Sequence, residues 1–131
     1  MKRILLALLL LLSAPALAQQ SVFVPATTNS VAIVGGITTG LRIVTGVAGK
    51  SIYVTSINLV GVATSVVAFV NGTGTNCGTG TASLTGAMGL GATTLASGSG
   101  YGTILVVPPG NDLCIIITAA VAPGWLAYSI F

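Results

Sequence analysis

Few side chains in this sequence could do chemistry. Asp112 is the only side-chain carboxylate, and the chain contains no glutamate and no histidine. A glycosidase needs two carboxylates and a serine triad needs an imidazole, so neither can be assembled here. One carboxylate cannot supply the oxygen charge of a calcium site, and two cysteines without histidine make no ordinary zinc site. Lys50 and Ser51 are adjacent, but neighbours on a strand point to opposite faces, so they cannot act as a Ser–Lys dyad. The stretch Gly72-Thr-Gly-Thr-Asn-Cys-Gly-Thr-Gly80 has the glycine density of a phosphate loop. It lacks the lysine of that motif, no helix follows it, and Cys77 occupies the third glycine position of a dinucleotide fingerprint. It reads as a tight loop pinned by Cys77. Asp112 follows Asn111 in a turn, where a side-chain to backbone hydrogen bond is the usual role. No catalytic residue, metal site or cofactor is therefore expected.

Two constellations remain. Cys77 and Cys114 are the only cysteines. In an exported chain a lone pair closes a structural disulfide, and a loop of this length stabilises the fold by about 4 kcal/mol on a chain-entropy basis. The spacing fits no CxxC redox or metal motif. Tyr53, Tyr101, Trp125 and Tyr128 are the residues that could stack on a sugar ring. Trp125 and Tyr128 have opposite strand parity and do not share a face of a regular strand. The plainer expectation puts one or two of these aromatics in the core and the others at edges. Asn71-Gly72-Thr73 fits a glycosylation sequon, but the export signal is of bacterial type, so it is expected to stay unmodified.

That signal stands at the N-terminus. Met1-Lys2-Arg3 is a short basic region, Ile4 to Leu12 is an unbroken apolar run, and Ala16-Leu17-Ala18 supplies small residues where a signal peptidase reads. The apolar run is too short for a membrane anchor, which needs ~20 residues. Residues 1–18 are expected to be removed, leaving a periplasmic or extracellular chain that starts at Gln19 and has no transmembrane segment. Arg42, Lys50 and Asp112 are then its only charged side chains. Two separated cations cannot follow a phosphate track, which excludes nucleic acid as a partner. Glycine, serine and threonine make up 43 of the 113 residues after Ala18. A surface solvated by hydroxyls, with little charge to repel copies of itself, suits an assembled or wall-associated protein.

The elements that must position these residues read as short strands broken by glycine. Candidates are 22–24, 31–34, 41–45, 51–60, 65–71, 103–107, 113–118 and 125–131. Pro108-Pro109-Gly110-Asn111 is a strong turn. The apolar phase of 51–60 shifts near Ser56, as at a bulge. No segment has a capped helical period, and the glycine-rich stretch Gly72–Gly102 shows neither helix nor clear strand. The pattern predicts an all-β, single-domain antiparallel β-sandwich or jelly roll of about eight short strands, ahead of a β-solenoid, for which no fixed period exists. Residues 19–36 are read as apolar N-terminal strands or an extension and 37–131 as the sandwich. Ile52, Val54, Ile57, Val67, Phe69, Leu105, Ile115, Ile117, Leu126 and Tyr128 are expected to build the core.

Four blocks carry a resemblance: Lys50-Ser-Ile-Tyr-Val-Thr-Ser; Phe69 to Ala82 with Leu84-Thr-Gly-Ala87; Val106-Val-Pro-Pro-Gly-Asn-Asp-Leu-Cys114; and Leu126-Ala-Tyr-Ser-Ile-Phe131. Over about the last 85 residues the chain resembles small, largely uncharacterised β-rich proteins of phage and prophage structural regions and their exported bacterial relatives. The resemblance implies a compact β-sandwich with a virion-decoration-like role, and it transfers no catalytic residue. Combined with the export signal it leads to an exported structural or surface-interaction protein, with homo-oligomers formed by strand pairing or sheet packing, or with a cell-surface or glycan partner. A small carbohydrate-binding module using exposed aromatics is the alternative.

Overall fold

A computed structural model describes residues 29–131, apart from 35, 37, 63, 92–94, 100, 101, 120 and 121, with the backbone alone described at 95–99. The signal segment, the 22–24 strand candidate and Tyr101 lie outside the described residues.

Among the described residues ten strands build two antiparallel sheets. Sheet I holds β1 (Asn29–Ile33), β10 (Gly124–Ile130), β3 (Ile52–Val60), β7 (Leu95–Ser99) and β8 (Leu105–Val107). Sheet II holds β2 (Thr38–Val44), β9 (Asp112–Thr118), β4 (Ser65–Thr73), β5 (Thr79–Ser83) and β6 (Met88–Leu90). Strands β7 and β8 pair with successive halves of β3, and β5 and β6 with successive halves of β4. Ten segments therefore fill eight positions. First pairs with last (β1 with β10), second with next-to-last (β2 with β9), and so inward to the turn between β4 and β5. Rolling one long hairpin so that β10 also meets β3, and β9 meets β4, gives jelly-roll topology. Asn29–Ile33 is the sandwich's own edge strand.

Strand periodicity explains the core. Along β4 and β9, Val67, Phe69, Leu113, Ile115 and Ile117 point inward and are fully buried. From sheet I, Ile52, Val54, Leu59, Val107 and Leu126 meet them, also fully buried. The phase shift in β3 is a bulge. Ala127 pairs with Ser56 and Tyr128 with Val54, so Thr55 is the extra residue, and its hydroxyl donates to Ala127 O (3.3 Å). The bulge keeps Ile52 and Val54 on one side of it, and Ile57 and Leu59 on the other, all on the inner face.

Two expectations need correction. The stretch 72–102 contains three strands, β5 to β7. Every residue of β5 is exposed, so no apolar alternation marks it; pairing with β4 holds it in place. Leu105 and Tyr128 are half-buried residues at the margin of the core, whereas Leu59, Leu113 and Val107 contribute fully buried side chains. Both marginal residues do pack against the buried cluster.

Candidate functional site

The Gly72–Gly80 segment folds back over the outer face of sheet II. Alternation along β9 sends Leu113, Ile115 and Ile117 into the core, and Cys114 and Ile116 outward. Val70 of β4 pairs with Cys114 and shares that outer face. An outward valine, cysteine and isoleucine would expose apolar surface. The turn Thr75–Cys77 covers them, and a disulfide joins Cys77 to Cys114 with 6.2 Å between Cα atoms. Val70, Cys77 and Cys114 form a small second core with Ile116 against it.

The turn has a defined shape. Asn76 and Cys77 both have left-handed backbone, with φ of 51° and 59°. Asparagine tolerates this region; for Cys77 it costs about 1 kcal/mol, which the disulfide offsets. Gly78 N–H donates to Thr75 O (3.0 Å), Arg42 N–H to Asn76 Oδ1 (3.4 Å), and the Thr81 hydroxyl to Cys77 O. Gly40 of β2 permits the close approach, because a Cβ there would lie 2.8 Å from Asn76 O. Between this turn and β2 a cleft of about 300 Å³ opens. Thr39, Thr75, Asn76 and Thr81 supply its polar wall, and Val70 and Ile116 its apolar floor.

Beside the cleft lies a polar cluster that sequence reasoning missed. Asp112, buried at the start of β9, accepts from Gly46 N–H through Oδ1 (2.7 Å) and from Arg42 Nη1 through Oδ2 (3.3 Å). The expected turn role gives way to a longer-range one: Asp112 is the first residue of β9, and its side chain accepts a backbone bond across 66 residues that joins the end of β2 to β9. Asn111 Nδ2 donates to Asn71 Oδ1 (2.8 Å), and Asn71 Nδ2 donates to Ala82 O (3.3 Å). Asn71 is 4% exposed, so the sequon amide is closed to glycosylation in the folded chain.

The structure separates the aromatic candidates. Tyr128 lies on the inner face of sheet I, opposite Val54. Trp125 is on the outer face, opposite Asn58, and 44% exposed. Tyr53 is on that outer face too, four residue pairs along, and tilts against Phe131 with ring centroids 6.0 Å apart. No stacking platform joins Trp125, Tyr128 and Tyr53.

None of the strands of sheet I contains a charged residue. Val60, Val106, Trp125 and Phe131 are exposed on its outer face, with Ser30, Ala32, Ser56, Asn58 and Ala127 at neighbouring outward positions. Among the described residues no group of acidic, cysteine or histidine side chains is arranged to hold a metal ion, and no helix is long and apolar enough to cross a membrane. Set against known proteins, the chain matches no family model, no curated protein and no solved structure.

Proposed function

We propose that this chain is an exported, non-enzymatic structural protein that associates with further copies of itself by packing sheet on sheet. The carrying observation is the outer face of sheet I. Four large apolar residues are exposed there, and none of the chain's charges lies on its strands. Such a face is compatible with its own copy, because two uncharged faces meet without repulsion or buried charge. Exposed apolar patches on a sheet commonly mark interaction sites. The sole carboxylate is engaged with Gly46 and Arg42, which suits a structural part more than an acid–base one. The disulfide fits an oxidising compartment, in agreement with an export signal cleaved after Ala18. Jelly rolls serve in capsid and lectin domains, and the decoration-like role that the sequence resemblance implies agrees with a structural part.

Light scattering on the size-excluded exported protein tests this. The wild type is expected to form a dimer or larger species, and W125K/V106K to run as a monomer with an unchanged far-ultraviolet spectrum. A wild type that stays monomeric at high concentration would overturn the proposal.

A further inference from the structure

We propose that the cleft on the outer face of sheet II is a binding site for a neutral sugar ring, independent of the sheet I face. Three observations carry it. The first is chemical. Thr39, Thr75, Thr81 and Asn76 line the wall, and no charged side chain lines the cleft. The Thr81 hydroxyl donates to Cys77 O and Asn76 Oδ1 accepts from Arg42 N–H, which leaves the Asn76 amide donors and the Thr81 oxygen lone pairs for a ligand. The one nearby guanidinium, Arg42, is turned to Asp112. Hydroxyls and an amide both donate and accept, which matches a polyhydroxylated ligand, and the lining supplies no countercharge to an anion or cation.

The second is shape. The cleft has a polar wall over an apolar floor of Val70 and Ile116. A pyranose has the same two characters: hydroxyls at its rim and C–H groups on its face. The volume of about 300 Å³ stands at the lower end of ligand pockets and suits a single ring.

The third is rigidity. The turn that makes the wall is fixed by the Cys77–Cys114 disulfide, by two consecutive left-handed residues and by the Arg42 and Thr81 bonds to it. A wall already ordered costs little entropy on binding. Covering Val70 and Cys114 requires only a lid; it does not require the polar side chains of Thr39, Thr75 and Asn76 to border one open space.

The test is a nitrogen-15 NMR titration of the exported protein with the methyl glycosides of glucose, galactose and mannose and with N-acetylglucosamine. At least one is expected to bind in the millimolar range, shifting the amides of Gly40, Asn76, Gly78 and Thr81. N76G is compatible with the left-handed backbone and removes the carboxamide together with its bond from Arg42 N–H, so it should weaken binding by at least about fivefold. T39W places a large side chain on an exposed strand position and should abolish binding with the rest of the spectrum intact. The proposal is overturned if none of the four sugars shifts these amides, if the shifts persist in T39W, or if they map instead to Trp125 and its neighbours.

Discussion

Replacing Asp112 should separate its role as a hydrogen-bond acceptor from its role as a charge. Its Oδ1 takes the Gly46 N–H at 2.7 Å, a charge-assisted bond from a part-buried backbone donor. Gly46 is held against Asn111 so closely that a Cβ would collide with the Asn111 carbonyl, which leaves little room for water. In D112A the amide loses its acceptor, costing about 1–3 kcal/mol. The ion pair adds less, because the Arg42 side chain is 46% exposed and solvent screens it; about 0–1 kcal/mol is the range for such pairs. D112A should therefore destabilise by about 1–4 kcal/mol, centred on about 2.5. D112N keeps a neutral acceptor and should cost about 1 kcal/mol. R42A should cost less than about 1 kcal/mol. Urea unfolding followed by Trp125 fluorescence reads these values. With a slope near 1–1.5 kcal/mol/M, D112A lowers the midpoint by about 2 M. Equal losses in R42A and D112A would show that the ion pair dominates, and a D112A midpoint at the wild-type value would refute the pinning role altogether.

Other consequences can be checked with standard methods. Phe69 is fully buried, so F69A should cost about 3–5 kcal/mol and lower the melting temperature by at least about 12 °C. The double variant C77A/C114A should lose up to about 4 kcal/mol, with nitrogen-15 shifts largest in residues 74–78 and small in the β3–β10 ladder. The exported protein should have the intact mass of residues 19–131; a mass retaining residues 1–18 would remove the export signal from the argument.

The parts of the fold legible in the sequence are those where burial leaves a period. The phase break near Ser56 located the Thr55 bulge, because a one-residue slip moves every later side chain to the other face. Opposite parity placed Trp125 and Tyr128 on different faces. The proline-rich segment 108–111 turns the chain between β8 and β9. Strands β5 to β7 were illegible for the converse reason: Thr79–Ser83 buries nothing, and its conformation is imposed by β4. The links from Asp112 to Gly46 and Arg42 span 66 and 70 residues, so only closure of the sandwich brings them together. The cleft was likewise invisible, since its wall comes from β2, the 75–78 turn and β5 and its floor from β4 and β9. Two hints existed: cysteines on an outward strand position and in a glycine loop must draw that loop onto the sheet.

The two proposed faces lie on opposite sides of the sandwich, and this yields a prediction that neither makes alone. Sheet I carries no charge and exposes Trp125, Val106, Val60 and Phe131, whereas sheet II carries the disulfide, the Arg42–Asp112 pair and the cleft. If copies pack through sheet I, every cleft faces away from the contact. Association then leaves the affinity for a single sugar unchanged, because no lining residue enters the contact. Two clefts that face opposite ways cannot both engage one flat sugar-coated surface, so association instead lets a single particle bridge two such surfaces. The variant W125K/V106K separates binding from bridging. It should retain wild-type NMR titration curves for the monosaccharide that binds, and it should fail to cross-link beads coated with that sugar, which the associated wild type clumps together. T39W should remain associated but neither bind the monosaccharide nor cross-link the beads. Loss of monosaccharide binding in W125K/V106K would mean that the two faces are coupled, and the assignment of separate roles to the two sheets would fall.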